Sequence, residues 1–441
     1  MKLSISKSVA ATGALLSGSV HVARADNPII QTLYSTDPAP YVWNNTVWLF
    51  TGHDQGGSSN YDMRDWRLFS STDMVNWRDW GQMLSLKSFS WAKADAWAAQ
   101  VIERDGKFFY YVTVTKNGGG YAVGIATSDK ITGPYKDALG KQLLSNNGID
   151  PTVFIDDADG QAYMYWGHNS AYYVKLNRDM LSYSGSMVST SVSNFIEGPW
   201  LHKRNSTWYL TYSSMGGGNE DIKYATSTKP TGPWTSKGTI MPSQGKSFTN
   251  HVGIIDYKGG SYFFYHNGAL PGGGTYSRSV CVEKFNYNSD GTIPKITMTD
   301  AGAPQIEPLN PYQQVEAETI AFSSGLTTAA TSDGSGIYVT SISNGDYIKV
   351  KGVDFGSAGA SSVDLRVAAA SGGGKIEIRV GSQTGTVIAT CTIDATGGAQ
   401  TWKTVSFPVT GATGKQDVFF KFSGSGYNFD WWQFKQSTTA A

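Results

Sequence analysis

Five dense runs of aromatic and aliphatic residues recur along the first two thirds of the chain. They are TVWLFTG from Thr46, KFFYYVT from Lys107, QAYMYWG from Gln161, STWYLTYS from Ser206 and GSYFFYH from Gly260. Each follows a turn-forming cluster: NN, RDG, DADG, KRN or YKGG. Apolar runs bounded by Gly, Asn and Asp read as strands. The runs start about 45 to 61 residues apart, enough for one four-stranded sheet each. A second repeat supports the first: IATSDKITGPY (residues 125–135) matches YATSTKPTGPW (residues 224–234), and FSSTDMVNW (residues 69–77) is a looser copy. The strands alone allow a plain β-sandwich. The repeats favour five sheets arranged radially, a five-bladed β-propeller over about residues 29–300.

The pattern changes near Tyr312. Aromatic density falls, and Gly, Ser, Thr and Ala rise. KIEIRVG, TVIATCTI, WKTVSFPV and DVFFKFSG alternate with period two, as strands of an antiparallel sandwich do. The expected architecture is all-β: a propeller over 26–302, a linker over 303–311, a β-sandwich of jelly-roll type over 312–436 and a tail over 437–441.

Composition narrows the function. Gly (51), Tyr (24) and Trp (14) are abundant and charged residues make up only 16%, which excludes a coiled coil or helical bundle. Thirty-five basic and 35 acidic residues cancel and no basic patch is evident. Nucleic acid and anionic membrane are therefore not expected partners, whereas a neutral polysaccharide fits. Residues 1–25 read as a secretory signal peptide: Lys2 and Lys7, the weakly apolar VAATGALLSGSV, then Ala23-Arg24-Ala25 before the cut. Its removal leaves a net charge of about −3 and a secreted, extracellular protein, expected to be a monomer. No other segment is apolar for the roughly 20 residues a membrane helix needs. Cys281 and Cys391 fall in different expected domains and are expected to be buried free thiols. Asn44-Asn45-Thr46 and Asn205-Ser206-Thr207 are glycosylation sequons.

Three acids stand apart. Asp37 in YSTDPAP, Asp150 in GIDPTVF and Glu197 in FIEGPW each lie next to, or two residues from, a proline. Each sits roughly 9 to 11 residues before the aromatic run of its own repeat. Equivalent positions in different blades can meet at the axis. Three carboxyls there suit glycosidic bond cleavage, which needs a proton donor and a base or nucleophile. The residues themselves leave the division of roles open.

These stretches carry a resemblance. NPIIQTLYSTDPAP, TGHD, STDMVNW, WAKADAWAAQVIERDGKFFYYV, IDPTVFIDDADGQAYMYWG, FIEGPW and YSRSVCVEKF resemble glycoside hydrolase family 43, over about residues 28–300. The likeness is strongest to its β-xylosidase and α-L-arabinofuranosidase branch. It implies a propeller and inversion at the anomeric carbon, with Asp37 as general base, Glu197 as general acid, and Asp150 raising the pKa of Glu197 and orienting it. It also implies that His251 lies beneath the site near a central ion or water and that Arg278 hydrogen-bonds the sugar. Trp97 would wall the pocket, with His53 and Asp54 at its border. No cofactor is required for the chemistry.

The C-terminal part resembles carbohydrate-binding module family 6 through VEAE (residues 315–318), NGDYIKV (344–350) and GYNFDWWQF (426–434). That likeness implies a structural calcium ion at Glu316, Glu318 and Asp430, and a sugar cleft with Tyr338 and Asn428. One departure stands out: GGAQTW places Ala399 where such modules carry a cleft tryptophan. The leading expectation is an exo-acting enzyme that releases β-1,4-linked xylose from xylo-oligosaccharides and also α-L-arabinofuranose. The alternative is an arabinofuranohydrolase removing side chains from arabinoxylan. A non-catalytic carbohydrate-binding protein is the reading from a different class.

Overall fold

The structure is a computed structural model that describes residues 26–334 and 336–437. The signal peptide expected over 1–25 lies outside the described residues. The chain is all-β, with a single 3-10 turn, Leu86–Ser88, among the described residues.

Five sheets follow one another in chain order. The first comprises Ser35–Trp43, Thr46–Asp54, Met63–Ser71 and Trp77–Ser85, and the second Ala92–Arg104, Lys107–Lys116, Tyr121–Ser128 and Lys136–Asp137. The third runs Thr152–Ile155, Ala162–Gly167, Ala171–Leu176 and Tyr183–Thr190, and the fourth Glu197–Arg204, Thr207–Met215, Glu220–Ser227 and Thr235–Met241. The fifth has three strands, Gly253–Tyr257, Gly260–Asn267 and Ser279–Phe285. All pair antiparallel. The aromatic runs are the second strands, buried on both faces because each sheet is covered by its neighbours. Tight turns set the register. Asn44-Asn45, Asp105-Gly106 and Lys258-Gly259 all have positive φ at both positions, the two-residue hairpin geometry whose twist matches the flanking strands.

The first strands of the five sheets touch in sequence, and the fifth returns to the first, so the sheets close a ring. Side chains bond across each seam. Glu103 donates its backbone N–H to Tyr41 Oη, Gln100 Nε2 donates to Val153 O, Leu201 N–H to Thr152 Oγ1, and Trp200 Nε1 to Ile254 O. The N-terminal segment helps shut the circle, Ile29 N–H donating to Val280 O at 2.9 Å.

Two further sheets follow. One orders Thr327–Ala330, Ile337–Thr340, Tyr427–Gln436, Ala360–Ala369 and Lys403–Pro408, with Val315–Glu316 beside Tyr427–Gln436. The other orders Phe322–Ser324, Tyr347–Asp354, Lys415–Ser423, Gly374–Val380 and Thr386–Ile393. They share a core of their own that includes Ile348, Val367, Phe420, Phe429 and Trp432. Cys281 and Cys391 are buried and unpaired, in separate cores.

The C-terminal sheets are bonded directly to the ring. Thr319–Ile320 pairs with Arg78 and Trp77 and becomes the fifth strand of the first sheet, covering an edge that would otherwise stand bare. Beside it, buried Asn76 donates from Nδ2 to Asp73 Oδ2 (2.6 Å) and Lys351 O (2.9 Å), and accepts Lys351 N–H at Oδ1 (2.9 Å). Gln305, inside the segment expected to be a linker, donates to the same Asp73 carboxylate and Lys351 carbonyl, both at 3.1 Å.

Replacing Asn76 by Ala removes three buried hydrogen bonds, two of whose acceptors keep Gln305, so we expect a loss of about 2 kcal/mol of stability. Wild type should melt in one calorimetric transition that moves down as a unit in N76A. Two independent transitions in wild type would contradict the coupling.

Candidate active site

Asp37, Asp150 and Glu197 come together around one cavity of about 420 Å³, which also touches Trp97, His251 and Arg278. They converge because each stands at the start of the first strand of its sheet, and first strands line the ring. Asp37 lies at a β-bulge in Ser35–Trp43, Asp150 just ahead of Thr152–Ile155, and Glu197 opens the bulged strand Glu197–Arg204. Asp37 (φ 49°) and Asp150 (φ 61°) adopt left-handed backbone, which is costly for residues with a Cβ and is typical of functional sites. Gly198 (φ 59°) has no such cost, and a Cβ there would stand 3.1 Å from both His251 Nδ1 and Ser213 Oγ.

Asp37 is built to stay ionised. Burial alone would raise its pKa, but the Arg278 guanidinium, helped by the Thr36 hydrogen bond, holds the carboxyl below its ordinary value. Arg278 Nη1 donates to Asp37 Oδ1 at 3.2 Å, and Thr36 Oγ1 donates to the same oxygen at 3.0 Å. The rest of the guanidinium is committed to Asp54, which accepts Nε at 2.9 Å and Nη2 at 2.8 Å, with the Arg278 backbone N–H adding a third bond at 2.8 Å. His266 Nε2 lies 2.9 Å from Thr249 O and Nδ1 lies 3.3 Å from the Asp37 N–H, so the proton belongs on Nε2. Burial pushes His266 down to about 3, which keeps it neutral.

The opposite wall carries the other acids. Asp150 Oδ2 accepts Gly198 N–H at 3.0 Å, and its own N–H donates to Thr113 Oγ1 at 2.9 Å. Burial and then the Glu197 charge push the Asp150 carboxyl well up. His168 Nδ1 lies 3.1 Å from Glu197 Oε2, and that hydrogen bond raises the His168 pKa. Trp97 donates from Nε1 to Tyr61 O at 3.1 Å and leans on Tyr121 at 5.0 Å, so it forms a wall of the cavity.

Other expected positions divide. Asp54 reaches the site through Arg278. His53 does not line the cavity: its Nδ1 is 3.1 Å from Asp65 Oδ1, because adjacent strand residues point to opposite faces. His251 touches the cavity with Nδ1 4.0 Å from Asp37 Oδ1, and burial lowers its pKa. His168, Glu220, Thr249 and His266 also line it, and sequence reading missed them. His266 ends the GSYFFYH run and His168 follows QAYMYWG, so a rule that inspects the end of each aromatic strand would have found both.

In the C-terminal sheets Asn428 donates to Ala399 O at 2.6 Å and accepts from Thr340 Oγ1 at 2.7 Å. Tyr338 is buried, edge-on to Trp402 at 5.2 Å. Glu316, Glu318 and Asp430 do not close around one point. Arg78 stands between the two glutamates, 3.6 Å from Glu316 Oε1 and 3.5 Å from Glu318 Oε1, while Arg366 lies 3.0 Å from Asp430 Oδ2. Among the described residues no group of three His, Cys, Asp or Glu side chains is placed to hold a metal ion.

Comparison with known proteins gives two family matches: glycosyl hydrolases family 43 over residues 25–293, and carbohydrate binding module (family 6) over residues 316–436. An arabinoxylan arabinofuranohydrolase of Bacillus subtilis (strain 168) is 35% identical, covering 93% of this chain and 92% of its own. A xylosidase/arabinosidase of Bacteroides ovatus is 27% identical over 60% of this chain and 96% of its own. Among solved structures, a family 43 arabinoxylan arabinofuranohydrolase from Bacillus subtilis, in complex with cellotetraose, superposes with a TM-score of 0.84 at 34% identity, covering 93% of this chain and 98% of that one.

The Arg278–Asp54 pair can be removed as a unit in an Asp54→Asn/Arg278→Gln double variant. Asp37 then keeps its burial and loses its counter-charge, so its pKa rises. We expect the acid limb of the kcat/KM profile to move to higher pH, with a loss at the optimum on the order of a hundredfold. An unmoved acid limb in a folded variant would exclude Asp37 as the group that must be ionised.

Proposed function

The chain belongs to glycosyl hydrolases family 43, and from that premise we propose that it removes α-L-arabinofuranosyl side chains from arabinoxylan as an exo-acting, inverting enzyme. The observation that carries this reading is the full-length relationship. The arabinoxylan arabinofuranohydrolases of Bacillus subtilis and Paenibacillus polymyxa each match 93% of this chain, through both its parts. The xylosidase/arabinosidase of Bacteroides ovatus matches 60% of it. Preference therefore shifts from xylose release, the leading expectation from sequence, to side-chain removal. Exposed Met215 and Phe248 at the cavity agree with this, since they offer an apolar ledge where a polymer main chain can lie outside while one side-chain sugar enters.

The ring of five sheets is read as a five-bladed β-propeller, with 26–302 as the catalytic unit and 312–436 as a jelly-roll sandwich docked on it. Asp37, held ionised by Arg278, takes a proton from a water as its oxygen bonds to the anomeric carbon. The carbon–oxygen bond to xylan breaks on the other face, and Glu197 gives its proton to the departing oxygen. Asp150 acts through geometry, fixing the Gly198 N–H one residue from Glu197. Residues 1–25 would direct the enzyme out of the cell, where its substrate is. The sandwich takes a structural role, because Asn428 and Tyr338 are bonded inward and Ala399 removes one cleft wall.

Two experiments test this. Wild type should release arabinose from arabinoxylan and leave xylobiose largely intact; rapid xylose release from xylobiose with no arabinose would reverse the assignment. In the same assay Glu197→Gln should lose about a hundredfold or more on arabinoxylan, and far less on aryl glycosides whose leaving group needs no proton. Equal losses on both would remove the general-acid role. Because Arg78 already supplies positive charge between Glu316 and Glu318, complete chelation with EDTA should leave the melting temperature where it was. A fall in melting temperature reversed by calcium would restore the ion to that site.

A further inference from the structure

A fourth carboxyl lines the cavity, and the mechanism above does not use it. Glu220 opens the strand Glu220–Ser227 in the sheet whose first strand carries Glu197. It is 4% exposed, and its surroundings hold it tightly. Its backbone N–H donates to Phe248 O at 2.9 Å, and its Oε2 accepts the Asn250 N–H at 2.9 Å. Both bonds tie it to the segment that carries Thr249 and His251 into the cavity. Its other oxygen, Oε1, has no hydrogen-bond partner among the described residues. Bracing that segment uses Oε2 alone and leaves Oε1 available at the cavity that the residue lines.

The neighbours say which form the carboxyl takes. Burial first and the Glu197 charge second push its pKa up to about 9, against the opposing pull of the Asn250 hydrogen bond and of Arg278. Burial and the Glu197 charge both push Glu220 toward its protonated, neutral form. A neutral carboxyl has one carbonyl oxygen and one hydroxyl. The oxygen that accepts the Asn250 amide is the carbonyl, which leaves the O–H on Oε1. Asp37 and Arg278 are engaged with each other on the far wall, and His168 is engaged with Glu197. An uncommitted donor on a rigid strand is what a pocket needs to recognise a sugar hydroxyl by its acceptor lone pair.

We propose that Glu220 is a sugar-binding, specificity-determining residue whose Oε1 donates a hydrogen bond to a hydroxyl of the arabinofuranosyl ring, while Oε2 stays on the Asn250 amide. This rests on the arabinofuranosidase reading above. It makes glutamine the natural substitute, because Gln Oε1 can accept the Asn250 N–H and Nε2 can donate to the sugar. Methionine keeps the bulk and has no donor.

The test uses the full-length protein and 4-nitrophenyl α-L-arabinofuranoside together with its 2-, 3- and 5-deoxy analogues. On the parent glycoside E220Q should lose no more than about fivefold in kcat/KM and E220M about thirtyfold or more, since only the second removes the donor. Wild type should disfavour each deoxy analogue, and in E220M that handicap should shrink for one of them and persist for the other two. E220Q falling as far as E220M overturns the assignment, as does an E220M loss that is equal on all four glycosides. Wild type inert on both the aryl arabinofuranoside and arabinoxylan would defeat the functional reading itself, and this one with it. An active wild type with the wrong variant pattern defeats only the role of Glu220.

Discussion

The structure turns on one buried guanidinium. Arg278 immediately precedes the last strand of the fifth sheet, and it holds Asp54 and Asp37, which lie on the second and first strands of the first sheet. The same three residues thus close the seam between the last sheet and the first and set the charge of the Asp37 carboxylate. A buried ion pair is a poor source of net stability, because desolvation consumes most of its attraction. It is a good source of geometry: with Asp54 gripping two of its nitrogens, the third is held where it reaches Asp37 and Thr249.

The other wall works by crowding. Asp150 and Glu220 are buried beside Glu197, and burial, with repulsion from it, raises both of their carboxyls. The cavity therefore has an ionised side, held by Arg278, and a protonated side, held by burial. General acid–base cleavage needs that asymmetry. It is produced by one positive charge placed on one side, with no special chemistry in the carboxyls themselves. Left-handed backbone at Asp37 and Asp150 is part of the cost, and the surrounding ring of strands keeps it from relaxing.

The C-terminal sheets are joined to this ring by backbone as well as side chains. Thr319–Ile320 extends the first sheet, and Arg78 beside it reaches between Glu316 and Glu318. Lys349 and Lys351 meet Asp26 near the beginning of the ring, at 3.1 and 2.7 Å. Burial outweighs Arg78 and pushes the Glu318 carboxyl well up, so the contact is as much a dry polar packing as an ion pair. The first sheet is thereby held from both sides, by Arg278 inside the ring and by the C-terminal strand outside it.

Much of this was legible in the chain. The five aromatic runs and their turns mark the second strands of the five sheets, since strands buried on both faces must be apolar throughout and Asn-Asn or Asp-Gly permits the positive φ of a tight hairpin. The positions of Asp37, Asp150 and Glu197 ahead of those runs placed them at equivalent points of three sheets, and they do meet. His53 and Asp54 could not be separated, because only the strand's face decides that Asp54 meets Arg278 and His53 meets Asp65. Glu220 carries no local mark, since it matters only through partners distant in sequence, whereas His168 and His266 are marked only by standing at the ends of aromatic runs. Gln305 and Arg78 show the same limit: they are ordinary polar residues until the two parts dock, and only then do they meet Asp73, Lys351, Glu316 and Glu318. Local periodicity and turn chemistry are written in neighbouring residues, and so the sequence alone determined strands, repeats and the likeness to a family. Which charge faces which carboxyl depends on contacts between distant segments, and the closing of the ring and the docking of the C-terminal sheets decided that.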